Sequence, residues 1–292
     1  MWAYSNTPLL TVFLSRTNSF HFFLLFLFLY LFARYSIRNT RYELRFAKAL
    51  YYSYNYREFI QKERIIIKAI IFDLDDTLIK TSELYNCARD EFSSIMQKLG
   101  FSGEESLIKL DEIDISYIQQ YGFLKERYPH SLGETYEFFC KKNGEKIDEL
   151  IKRKIENIGW QVFEQIPELV DDVYSVLETL RKKYFLILAT LGDPRVQEEK
   201  VKLTGLNKYF SDINILKHKN VEEYQNILKR HHLKKKETWI IGNSVRSDLN
   251  PGLKIGLNCI LIPYLSWKFE DEKPVSKNYL QVKALIEILE YL

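Results

Sequence analysis

The sequence predicts an α/β fold: a doubly wound parallel sheet carrying an all-helical cap domain inserted after the first strand. Three observations carry this expectation. Residues 65–74 (IIIKAIIFDL) are β-branched and almost continuously apolar, the pattern of a strand buried on both faces of a parallel sheet. From about residue 166 onward, helical stripes alternate with further short apolar runs, which is how successive strand–helix units read. Between the two, residues 81–165 show amphipathic helical patterns and no second buried strand.

The elements follow in order. Residues 20–33 (FHFFLLFLFLYLFA) form an apolar run, and no acidic residue precedes Glu43. The run is shorter than the ~20 residues of a membrane span, although Thr17 to Ser19 would lengthen it. Arg34, Arg38, Arg41, Arg45 and Lys48 follow, so insertion would leave everything downstream in the cytoplasm. Three readings stay open here: a membrane anchor making contact through residues 17–35, a targeting peptide, and upstream sequence outside the true reading frame. Residues 34–64 read as a linker without recognisable chemistry. The resulting division is 1–64 for this segment, 65–80 together with 166–292 for the catalytic core, and 81–165 for the cap. Leu84, Cys87, Ala88, Phe92, Ile95, Met96 and Leu99 give the first cap helix, which Gly100 ends. Further helical patterns occupy 107–120, 134–142 and 145–158. The remaining strands are expected at 185–189 (FLILA), 213–216, 239–241 and 258–262 (NCILI).

Bulk properties exclude some functions. Against 42 basic residues stand 39 acidic ones, a net charge of +3, which gives no electrostatic case for nucleic acid. Cys87, Cys140 and Cys259 are far apart and odd in number; they fit neither a disulfide framework nor a zinc site, and point to a reducing compartment.

Ligands of open parallel sheets bind beyond the carboxyl ends of the strands. The residues just after the strands are therefore the candidates: Asp73, Asp75, Asp76 and Thr77, then Thr190, then Lys217 and Lys219, then Asn243, Ser244 and Asp248. Converging carboxylates repel unless a cation joins them, and oxygen ligands suit a hard one such as Mg2+. A metal beside a lysine and a hydroxyl makes a phosphoryl pocket. No GxxxxGK[ST] loop is present, which leaves a carboxylate nucleophile and an aspartyl-phosphate as the economical route.

The run IFDLDDTL at 71–78 resembles the first motif of the haloacid-dehalogenase superfamily. Thr190 after LILA, a lysine before a helix, and GNSVRSD at 242–248 resemble its second, third and fourth motifs in order. Residues 167–266 are similar to one bacterial branch along nearly their whole length. The resemblance implies Asp73 as nucleophile and Asp75 as general acid and then base, with Thr190 and Lys219 holding the phosphoryl oxygens. It places Mg2+ on the Asp73 side chain, the Asp75 carbonyl and Asp248, with Asn243 standing where the family usually has aspartate. Lys217 competes with Lys219, which is preferred for its spacing to Tyr224. Thr77 supports the loop. The cap would close over a small phosphorylated metabolite and select it by shape. A phosphomutase, a carbon–halogen hydrolase and a non-catalytic, membrane-tethered binding module of the same fold are the rival readings.

Overall fold

The computed structural model describes residues 68–264, 267, 269 and 271–292. The expectations for residues 1–64, including the membrane contact at 17–35, lie outside the described residues. Among the described residues no helix is long and apolar enough to cross a membrane.

Six strands form one parallel sheet in the order β3-β2-β1-β4-β5-β6: β1 (Ala69–Phe72), β2 (Phe185–Leu191), β3 (Asp212–Leu216), β4 (Thr238–Gly242), β5 (Asn258–Leu261) and β6 (Leu280–Gln281). The first five are those the apolar runs predict, although the described part of β1 ends at Phe72, so Asp73 and Leu74 already belong to the turn. β6 is a strand the sequence reading did not contain. It is two residues long at the sheet edge, too short to show a periodicity.

Alternation along β1 explains why helices cover both faces. Ile70 and Phe72 pack with α5 (Val173–Leu180), with Val201 of α6 (Pro194–Leu203) and with Leu285 and Ile288 of the carboxyl-terminal turn. Ile71 packs oppositely, with Tyr224, Ile227 and Leu228 of α7 (Val221–Arg230) and Ile255 of α8 (Asn250–Ile255). With every β1 side chain in a core, only its carboxyl end is free to display polar groups.

Two helices that serve the site start from defined caps. The Asp193 carboxylate accepts from the Arg195 and Val196 amides, with Pro194 in the first turn of α6. Asn220 accepts from the Glu223 amide at the start of α7.

Four helices fill the insertion: α1 (Thr81–Lys98), α2 (Gly103–Tyr121), α3 (Arg127–Asn143) and α4 (Glu149–Gln161). They own a separate core that includes Phe92, Met96, Leu110, Leu132 and Ile155. α3 and α4 approach so closely at Gly159 that a Cβ there would lie 2.6 Å from Pro129 Cα. Backbone cannot yield as a side-chain tip can, so Gly159→Ala is expected to cost about 1–3 kcal/mol. A melting temperature lowered by roughly 2–4 °C per kcal/mol is the check.

Candidate active site

The site lies at the carboxyl edge where β1 separates β2 from β4, the point at which the strand order reverses and a crevice opens. The Asp73 amide still donates to Ile241 O at 2.9 Å, so the first carboxylate leaves the end of the ladder. Beyond it the chain doubles back, with the Leu78 amide bonded to Leu74 O at 2.9 Å. Asp76 turns the corner at φ 61°, a region aspartate tolerates, while its Oδ1 accepts the Ser82 amide at 2.8 Å. Thr77 Oγ1 donates to Asp73 Oδ2 at 3.0 Å and lies 3.4 Å from Asn243 Oδ1. It braces the loop against the end of β4.

Asp248 comes from a single π-helical turn after β4, Val245–Leu249. Its Oδ2 accepts the Ser244 amide at 3.2 Å. Gly242 makes room for it, because a Cβ there would sit 2.2 Å from the same oxygen.

Lys219 binds both carboxylates. Its Nζ donates to Asp73 Oδ1 and, at 2.7 Å, to Asp248 Oδ1, with the side chain 3% exposed. The neighbouring carboxylates outweigh burial and raise the Lys219 pKa well above its ordinary value, so it is a fixed cation. Lys217 is exposed. Of the two competing lysines, Lys219 is the one the chain brings to Asp73. Tyr224 OH stands 3.2 Å from Asp248 Oδ1, which accounts for the spacing between Lys219 and Tyr224.

Asp75 has different neighbours. Lys200 Nζ donates to its Oδ1 at 2.7 Å, Gln197 Nε2 to its Oδ2 at 2.7 Å, and the Thr81 hydroxyl bonds it as well. Burial works to raise this carboxyl, but the Lys200 charge and these hydrogen bonds prevail and hold it below the ordinary range. For Asp73 the balance is reversed: burial, with Asp248 repulsion added, overcomes Lys219 and pushes the carboxyl up to about 7. Two carboxylates two residues apart thus differ in proton affinity because of what surrounds them.

Gln197 and Lys200 were not among the residues expected from sequence. They sit one turn apart on α6, immediately after the β2 loop, and the burial that sets Gln197 apart in so polar a helix is not visible in the sequence. Gln197 Nε2 also reaches Thr190 Oγ1 at 2.5 Å. Thr190 is fully buried, inside a strand that runs on to Leu191. The cavity wall there is made by Leu191, Gly192 and Gln197 instead.

The metal ligands expected from sequence supply two side-chain carboxylates, Asp73 and Asp248, with the Asn243 amide oxygen and the Asp75 carbonyl. Accordingly, among the described residues no group of three or more His, Cys, Asp or Glu side chains converges as a metal site. The donors are nonetheless all hard oxygen atoms. Asp73, Asp75, Asp76 and Asp248 line the cavity against two ammonium groups, Lys200 and Lys219, leaving two negative charges when all are ionised. Burial raises the Asp73 and Asp76 carboxyls to about 7 and about 6, with repulsion from neighbouring carboxylates adding to it. A hard divalent cation fits that donor set and that charge.

A cavity of about 350 Å³ joins these groups to the cap helices, where Tyr85, Phe123, Arg127 and Trp267 form its wall. That volume is at the small end for ligand sites.

A family model described as haloacid dehalogenase-like hydrolase matches residues 67–256. The chain is 27% identical over 244 residues to glyceraldehyde 3-phosphate phosphatase of Methanocaldococcus jannaschii, covering 77% of this chain and 96% of the relative. It is 24% identical to N-acylneuraminate-9-phosphatase of Mus musculus, over 65% of this chain and 80% of that one. In fold it is similar to a haloacid dehalogenase-like hydrolase of Xanthomonas campestris, with a TM-score of 0.65 at 24% identity, covering 78% and 93% of the two chains. The HAD-hydrolase YfnB of Bacillus subtilis, whose crystals held magnesium, superimposes with a TM-score of 0.53 at 16% identity, over 77% of this chain and 98% of that one.

Proposed function

This chain belongs to the haloacid dehalogenase-like hydrolase family, and on that premise we propose that it is a magnesium-dependent phosphatase that hydrolyses a small phosphomonoester through an aspartyl-phosphate on Asp73. The observation that carries the proposal is the pairing of two carboxylates with two different lysines in one cavity: Asp73 with Lys219, Asp75 with Lys200. The relatives named as phosphatases support phosphorus, rather than a carbon–halogen bond, as the point of attack.

In the first step an Asp73 carboxylate oxygen attacks phosphorus and the bond to the ester oxygen breaks. Asp75, having first taken up a proton from solvent against the pull of Lys200, gives it to the departing alcohol. In the second step Asp75 takes a proton from a water molecule as that water attacks the same phosphorus, which frees Asp73 and releases phosphate. The Lys200 ammonium favours the ionised Asp75 that this step uses. Lys219 Nζ lies where it neutralises phosphoryl oxygens brought against Asp73, and the Thr190–Gln197 pair closes the other corner. Mg2+, held by Asp73, Asp248, Asn243 and the Asp75 carbonyl, would supply further positive charge against the phosphoryl group. The helical layer narrows the cavity and keeps water from the covalent intermediate.

Release of inorganic phosphate from an aryl phosphate by the full chain tests the reading. Activity is expected with Mg2+ and not with a chelator, and Asp248→Asn should lower it by about 100-fold or more. Undiminished turnover in chelator would remove the metal from the reading.

A further inference from the structure

At the cap end of the cavity stand Arg127 and Tyr128, both buried and both part of its wall. Asp114 Oδ2 lies against Arg127 Nη1, and Asp114 Oδ1 is already bonded by Ser131 Oγ at 2.9 Å. Nη1 is the nitrogen remote from Nε–H, so the contact with Asp114 is made at the end of the guanidinium away from Nε. Among the described residues Arg127 Nε and Tyr128 OH find no hydrogen-bond partner. Buried donors left without acceptors are costly, and two in the lining of one ligand cavity call for an acceptor from outside the chain.

Several charged groups stand around this pair. Arg89 is consumed by Asp111, which it grips through both nitrogens at 2.6 and 3.2 Å. Asp114 is matched by Arg127. Lys125 Nζ lies 5.5 Å from the Phe163 ring centre and, among the described residues, pairs with no carboxylate. Three carboxylates balance these three cations, since Asp193 also lines the cavity and its Oδ2 accepts the Lys125 amide at 3.4 Å. The rings of Phe123 and Trp267 lie 5.7 and 5.9 Å from Arg127 Cζ, holding the guanidinium in an apolar setting that strengthens its pull on an anion.

We infer that the substrate's leaving group carries a carboxylate, received at this end of the cavity by the Nε edge of Arg127 and the hydroxyl of Tyr128. The inference rests on the phosphatase reading of the sheet end, which places the phosphoryl group against Asp73. A carboxylate is planar and singly charged. It fits the two-pronged edge of arginine. A bare hydroxyl would offer a single acceptor oxygen to the two donors, Arg127 Nε and Tyr128 OH, that lack partners among the described residues.

The test uses the full-length chain carrying Asp73→Asn, so that ligands bind without turning over. Calorimetry compares 3-phosphoglycerate with glycerol 3-phosphate, which has the same skeleton and a hydroxymethyl group in place of the carboxylate. The expected result is about tenfold or more tighter binding of 3-phosphoglycerate. Adding Arg127→Lys or Tyr128→Phe should bring the two ligands to within roughly threefold of each other. Tyr128→Phe keeps the ring and removes a hydroxyl that bonds nothing among the described residues, so it guards against a variant that merely misfolds. Equal binding of the two ligands, binding of neither, or a preference that survives both substitutions would overturn the inference. Failure of the phosphatase reading would instead appear as wild-type protein that releases no phosphate from any ester, and the binding preference can be read whether or not that happens.

Discussion

Asp73→Asn is expected to lower turnover by about 10⁴-fold or more, the scale of loss when a covalent nucleophile is removed. The carboxamide has the same shape and still accepts from Thr77, but its oxygen is not an anion and forms no stable acyl phosphate. The fold should survive, because Lys219 keeps Asp248 as a partner. A pH effect accompanies the change. Without metal, the Asp73 carboxyl is raised from 3.8 to about 7. The folded protein therefore binds a proton there that the unfolded chain has lost, and stability falls as pH rises through that window. Metal-free wild type should melt at a lower temperature at pH 8 than at pH 5, and Asp73→Asn should flatten that slope. Activity within tenfold of wild type would remove Asp73 from the mechanism.

Lys219→Met should have the next largest effect, and on stability as well as rate. The ammonium is bonded to two buried carboxylates, and methionine fills much of its space without its charge. Stranding buried charges typically costs about 3–5 kcal/mol. Turnover should fall by roughly 10³-fold, since a fixed positive charge against the phosphoryl oxygens is lost. Mg2+ should recover a larger part of the melting temperature in this variant than in wild type, because a cation then replaces the missing charge. A variant that melts as wild type does, with or without Mg2+, would show that Lys219 is not the partner holding these carboxylates in place.

Much of this arrangement was legible in the sequence because strand ends in a parallel sheet are also the binding edge. Asp73, Asp75, Lys219, Asn243 and Asp248 all lie within six residues of a strand's carboxyl end, so locating the strands located them. Lys219 is preferred over Lys217 for a resemblance in spacing, and in the structure Tyr224 and Lys219 meet at Asp248. What the strands do not position was harder to see. Gln197 and Lys200 act from the second turn of a helix, and their contact with Asp75 spans more than 120 residues of chain. Thr190 follows its strand in the same way as the others. Yet β2 pairs with β3 out to Leu191, which keeps the threonine in the sheet and gives its hydroxyl to Gln197. The cap end was least legible. Arg89 meets Asp111 from 22 residues away and Arg127 meets Asp114 across a helix–helix contact, and neither separation follows a local periodicity.

The most direct measurement is the covalent state of Asp73 during turnover. Wild-type protein mixed with an aryl phosphate and Mg2+, quenched and treated with borohydride, should yield homoserine at position 73, since an acyl phosphate is reduced where a free carboxylate is not. Mass spectrometry of the peptide containing residues 71–78 reads the result. Homoserine at 73 in wild type and its absence in Asp73→Asn is the outcome predicted here. An unmodified Asp73 in protein that is releasing phosphate, or homoserine at Asp75 or Asp76 instead, would contradict nucleophilic attack by Asp73.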